Sequence, residues 1–149
     1  GHQDYGYWYD YACLYPLLAS CLIAVDPATR DNGCLQVLAG SHRMGRIEHG
    51  IKGDQTGADP ERVAAIEQQL ETVHVTLDPG DAIFFHCNLL HASGHNLSAV
   101  DRWHAFLCFN TVANRPHEVE NPRPEYVRST NWEALPLGEN RAITVTAGA

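Results

Sequence analysis

The triplet His2-Gln3-Asp4 sets an imidazole and a carboxylate two positions apart. On an extended segment, side chains at that spacing share one side and can grip one face of a metal ion. The triplet alone is a weak signal, since a surface histidine beside an acid arises often by chance. Its support lies downstream, in residues 80–96 (GDAIFFHCNLLHASGHN) followed by Arg102. His86, His91 and His95 each offer a second imidazole. Two neutral imidazoles and one carboxylate would fill three sites on one face of an octahedral ferrous ion and leave three open, as oxygen chemistry requires.

Such residues need a scaffold, and the punctuation of the chain suits short strands. Ser20 to Asp26 is apolar and branched, closes at Asp26-Pro27, and is followed by turn chemistry at Arg30 to Gly33. Asn32-Gly33 can supply the positive backbone angles of a tight hairpin, so Cys34 to Leu38 is expected as the return strand. Arg43 to Asp59 is polar, contains Gly45, Gly50, Gly53 and Gly57, and reads as a long loop. Asp59 as N-cap and Pro60 at the first helical position open a helix that runs to Glu71, with Val63, Ile66 and Leu70 on one face. Thr72 to Leu77, Asp81 to His86 and Arg102 to Val112 read as strands, with turns at Asp78-Pro79-Gly80 and Gly94 to Ser98. Beyond Asn114, with Pro116, Pro122, Pro124 and Pro136, a loosely ordered tail over the domain is expected. Short strands and one interposed helix argue for an all-β sandwich or barrel over a parallel α/β sheet.

The 149 residues, 44% hydrophobic and 19% charged, suit one domain with a single sizeable core. A formal charge of -8 removes the electrostatic footprint for gripping nucleic acid or an anionic membrane. No stretch approaches the roughly 18 to 20 apolar residues of a membrane span, which points to a soluble protein. Five cysteines, an odd number without a C-x-x-C pair, fit buried thiols in a reducing, cytoplasmic compartment better than a disulfide framework. No signal or transit segment precedes the fold, and Gly1 in place of Met implies a processed or cut start.

In order and at similar spacings, His2-Gln3-Asp4, Asn32 to His42 (NGCLQVLAGSH), the 80–96 segment and Arg102 resemble the phytanoyl-CoA dioxygenase family. That family is a branch of the Fe(II)- and 2-oxoglutarate-dependent oxygenases that includes ectoine hydroxylase. The resemblance covers Gly1 to about Asn110. It implies a double-stranded β-helix (jelly roll, cupin-like), with iron held at its open mouth by His2, Asp4 and His91. His91 takes precedence over His86 and His95 because a serine follows at plus two and an arginine eleven residues on, as in the family. By the family's mechanism, 2-oxoglutarate takes two of the open iron sites and O2 the third. Decarboxylation then leaves succinate, CO2 and an oxidant that removes a hydrogen atom from a small-molecule substrate. Arg102 is the expected partner of the buried distal carboxylate of 2-oxoglutarate, since a planar guanidinium can pair with it bidentately. Ser93 adds a hydrogen bond to the same carboxylate. An intact Asp4 fills the site that related halogenases free for chloride, so the resemblance implies hydroxylation over halogenation, while desaturation, epoxidation or cyclisation after the same hydrogen abstraction stay open. The family's strands and helices upstream of the metal pair are absent here, so residues 1–149 are expected to be one N-terminally truncated oxygenase domain, with a jelly-roll core at 1–112 and a tail at 113–149.

Two other classes stand beside the hydroxylase: a non-catalytic jelly-roll module that binds metal or ligand, and a zinc-dependent cupin-like hydrolase or isomerase. Arg102 with Ser93 speaks against the zinc enzyme, which needs no buried clamp for a dicarboxylate. With Arg102 facing inward, a period of two puts His104, Phe106 and Cys108 on the same face, which makes Phe106 a substrate-contact candidate. Among the aromatics after the metal pair (Tyr5, Tyr7, Trp8, Tyr9, Tyr11), Trp8 is the first candidate to wall a substrate pocket. Equally, alternating aromatics are what a half-buried strand or sheet-covering loop shows. His42 is expected to pin the long loop, Arg43 and Arg46 to be solvated, and His49, His74 and His117 to be surface or structural residues.

Overall fold

The computed structural model describes residues 1–52 and 55–117, with backbone alone for residues 51, 52, 55 and 56. The greater part of the expected tail, residues 118–149, lies outside the described residues. Helix α1 (Asp4–Asp10) is followed by β1 (Leu18–Ala24), β2 (Leu35–Leu38), a 3-10 turn (Ser41–Arg43), β3 (His49–Lys52) and β4 (Gln55–Ala58). Helix α2 (Pro60–Glu67) then leads to β5 (Thr72–Val75), β6 (Ala82–His86), β7 (His91–Ser93) and β8 (His104–Asn110). Two three-stranded antiparallel sheets, β6-β1-β8 and β5-β2-β7, form the two halves of a jelly roll. They face each other through Leu35 and Val37 of β2, Phe85 of β6, and Leu89.

The register explains which side chains enter the space between the sheets. Ser20 pairs with Phe85 on one side and Cys108 on the other, and Leu22 pairs with Ile83 and Phe106. Because neighbours in register share a face, Ser20, Leu22, Phe85, Phe106 and Cys108 point inward with Leu18. Phe84, Leu107 and Phe109 point outward, and all three are exposed. Helix α2 covers the second sheet with Ile66, which packs with Leu38, Ile47, Ala58 and Leu90. Its start is as the sequence suggests: Asp59 caps it by accepting from the Arg62 amide, with Pro60 in the first turn. It ends at Glu67, four residues before the expected Glu71. Among the described residues no helix is long and apolar enough to cross a membrane.

The structure corrects three expectations. Asn32-Gly33 does not close a hairpin: β1 pairs with β6 and β8, whereas β2 pairs with β5 and β7, so the turn carries the chain from one sheet to the other. Gly33 does take a positive φ of 78°, and it packs so close to Gly94 that an added Cβ would sit 2.4 Å from the Gly94 carbonyl oxygen. The expected long loop contains the β3-β4 pair, joined in register from His49-Ala58 to Lys52-Gln55. The helix count rises from one to two, because residues 4–10 form α1 and not a strand or covering loop. Tyr5 and Trp8 of α1 pack with Cys13, Leu18 and Cys87, so tertiary burial overrides the weak helix propensity of an aromatic segment containing Gly6. At the far end, Asn114 is buried and its side chain binds the backbone of Tyr15 and the side chain of Asn110, so residues at the start of the expected tail are fastened to the sheet.

Candidate metal centre

His2 and His91 face each other as an antiparallel bridge, exchanging backbone hydrogen bonds of 2.9 and 3.0 Å. Gln3 is still extended, with φ -108° and ψ 137°, and the chain turns into α1 at Asp4. The first half of the triplet is therefore strand and the second half is helix. Both side chains nevertheless reach one point. His2 Nε2 lies 3.4 Å from Asp4 Oδ1, and His91 Nε2 lies 3.6 Å from the same oxygen. The three donor atoms fall within 4.8 Å of one another, and this is the one such cluster of three or more His, Cys, Asp or Glu among the described residues. His86 and His95 are outside it. His86 is exposed and its Nδ1 accepts from the Asn88 amide.

The donors are prepared for a cation. His91 Nδ1 donates to the Leu89 carbonyl at 2.9 Å, which fixes the tautomer and leaves the Nε2 lone pair for metal. Burial is the main cause that lowers the His91 pKa, aided by the nearby His2, against the opposing pull of Asp4. Burial would raise the Asp4 carboxyl, but hydrogen bonding from His2 and Ser20 and the His91 and His2 rings outweigh it and hold the pKa below the usual carboxylate value. The Ser20 hydroxyl donates to Asp4 Oδ2, which leaves Oδ1 turned toward the histidines. A neutral imidazole and an ionised carboxylate at neutral pH are the protonation states that metal ligation needs. The set fits a divalent iron.

Ser93 follows His91 by two residues on β7 and pairs with Leu35. Arg102, half-buried, lies just before β8; its Nε donates to the Asn32 carbonyl at 3.0 Å and its Nη1 faces His104 Nδ1 at 3.4 Å. Ser93, exposed, neighbours Leu35 across β2, and the Arg102 charge reaches the Cys34 thiol beside Leu35. The Phe106 ring is 6.1 Å from Phe85, which in turn meets His91 edge-on at 4.9 Å. Trp8 is half-buried against Tyr5, Cys13, Leu18 and Cys87, the packing role weighed beside the pocket role. Tyr7 is the α1 ring that meets His2, edge-on at 6.3 Å. His42 and Arg43 are exposed, whereas Arg46 is half-buried, stacked 4.3 Å over Tyr9 and paired with Glu48 at 3.1 Å.

Four contributors escaped the reading of the sequence. Ser20 had a signal: it is the lone hydroxyl in an apolar strand, in phase with Leu18 and Leu22 on the inner face. Gln3, His49 and Asn88 had none, because their links run across 44 to 85 residues: Gln3 donates to the Asn88 carbonyl, accepts from the Ile47 amide and binds His49 through its backbone.

Fold and donor set together define a jelly-roll protein with a candidate two-histidine, one-carboxylate metal site. Residues 1–103 match the family model described as Phytanoyl-CoA dioxygenase (PhyH), and the chain belongs to that family. It is 34% identical to an ectoine dioxygenase of Sphingopyxis alaskensis over 99% of its own length and 51% of that protein. It is 27% identical to an L-proline trans-4-hydroxylase of Streptomyces griseoviridis over 94% of this chain and 58% of that protein. The crystal structure of EctD from S. alaskensis with 2-oxoglutarate and 5-hydroxyectoine superposes with a TM-score of 0.69 and 32% identity, covering 83% of this chain and 43% of that one. EctD with bound Fe gives 0.68 and 30%, covering 81% and 42%. The chain thus spans about half the length of the relatives it matches.

Proposed function

We propose that this chain is the iron-binding core of an Fe(II)- and 2-oxoglutarate-dependent dioxygenase that hydroxylates a small organic molecule, releasing succinate and CO2. The observation that carries the reading is the convergence of His2 Nε2, Asp4 Oδ1 and His91 Nε2 within 4.8 Å on one side. Bound there, Fe(II) would supply the redox chemistry that the protein's own side chains lack. The protein's part is to hold and orient. His2, Asp4 and His91 are the ligands, and Ser20 keeps the Asp4 carboxylate turned so that one oxygen serves the metal. Arg102, with Nε tied to the Asn32 carbonyl, presents its outer guanidinium edge to the distal carboxylate of 2-oxoglutarate, and the Ser93 hydroxyl donates to the same group. Phe106 is the proposed apolar wall against which substrate rests. Trp8 keeps a secondary place as a wall residue, since much of it is committed to the cluster under α1.

The named relatives suggest small, polar, amino-acid-like substrates, ectoine or proline among them. The test is succinate release under air from the chain loaded with Fe(II) and 2-oxoglutarate, with a panel of cyclic amino acids and ectoine-like zwitterions. Substrate-stimulated succinate that disappears in Asp4→Ala is the expected outcome. Turnover with Zn(II) that ignores 2-oxoglutarate would favour a hydrolase instead.

A further inference from the structure

His49 takes the structural of its two expected roles: its ring is buried against the turn that carries two of the three candidate metal donors. The Gln3 amide donates to His49 Nε2 at 3.0 Å, and His49 Nδ1 donates to the Ile47 carbonyl at 2.7 Å. The Ile47 amide returns to Gln3 Oε1 at 2.7 Å, which closes a ring of three hydrogen bonds. A carbonyl can only accept and an amide can only donate, so the arrangement demands the neutral Nδ1–H tautomer. The Gln3 side chain, fully buried, extends the ring by donating to the Gly45 and Asn88 carbonyls. Gly6 completes the seat: a Cβ there would lie 2.2 Å from His49 Nδ1, so only glycine lets the ring lie flat on α1.

We infer that His49 is a positioning residue, and that the bond its Nε2 accepts from the Gln3 amide, with the ring oriented by Ile47, fixes the backbone between His2 and Asp4 so that the two donors converge before metal arrives. This rests on the metal-centre reading above. Gln3 sits where the chain changes from strand to helix, and a backbone free to rotate there would swing Asp4 away from His2. Preorganisation of ligands by outer contacts is worth about 10- to 100-fold in metal affinity.

The test pairs two substitutions in the full chain. In His49→Gln the new amide reaches the Nε2 position and can accept from the Gln3 amide; in His49→Asn it reaches the Nδ1 position alone. Anaerobic Fe(II) titration should leave His49→Gln within about threefold of the parent and weaken His49→Asn by about tenfold or more. Equal affinities for the two variants would overturn the inference. A second readout needs no substitution. In the metal-free parent, nitrogen NMR should show His49 as the Nδ1–H tautomer and the Gln3 amide as protected from exchange as the core strands; a freely exchanging Gln3 amide would likewise overturn it. A parent that takes up no Fe(II) while its Gln3 amide is protected would sink the metal-centre reading and leave the hydrogen-bond ring standing.

Discussion

Two regions of the same sheet pair are built in opposite ways. Around His2, Asp4 and His91 the polar groups are buried and tied: Ser20 to Asp4, His91 to Leu89, Gln3 to four different residues. On the outer face of β8 and just before it the apolar groups are bare instead, with Trp103 at 67%, Phe109 at 51% and Leu107 at 43% exposure. Among the described residues, the buried polar ties are therefore concentrated where the donor atoms stand. Such outer ties are what hold a set of donor atoms in place before a ligand binds.

That contrast can be broken in stages. The largest effect belongs to Asp4→Ala, which removes the oxygen both histidines face; Fe(II) affinity measured anaerobically should fall by more than about 100-fold, beyond the range seen for outer contacts. Ser20→Ala leaves all three ligands in place and frees Asp4 Oδ2, so a loss of about tenfold is expected in the same titration. Next comes pH. Burial lowers the pKa of His49, His91 and His104 below the unfolded value of about 6.5. The unfolded chain then binds more protons, so stability is full above about pH 6.5 and is lost as pH falls through the lowered folded values. Urea unfolding of the metal-free protein at stepped pH should show this slope, and His49→Gln should flatten it. At the bottom of the scale, Trp103→Ser, at an exposed position just before β8, should change stability by no more than about 0.5 kcal/mol. A cost several times larger would mean that the strand is covered in solution and the contrast is false.

How much of this was legible in the amino-acid sequence depends on the range of the interaction. The donor set was readable because chemistry restricts ligands to few residue types, and His2, Asp4 and His91 do meet in space. Strands β1, β2, β5, β6 and β8 showed their period, and α2 showed its cap. The three-residue β7 was too short to show a period and exists through its pairing with β2 and with His2. Helix α1 depends on packing of Tyr5 and Trp8 that no local pattern encodes. Asn32-Gly33 announced a positive φ correctly, but a turn residue does not say which sheet the chain enters next. The His49 ring lay furthest from view, since Gln3 and His49 are 46 positions apart.

The central claim is that three side chains form a ferrous site within reach of a guanidinium that holds a keto-diacid. Anaerobic addition of Fe(II) and then 2-oxoglutarate, followed in the visible spectrum, tests it most directly. A charge-transfer band that needs both additions, vanishes in Asp4→Ala and demands far more 2-oxoglutarate in Arg102→Ala is the predicted result. Fe(II) uptake with no band at any concentration of 2-oxoglutarate, or a band unchanged in Arg102→Ala, would contradict it.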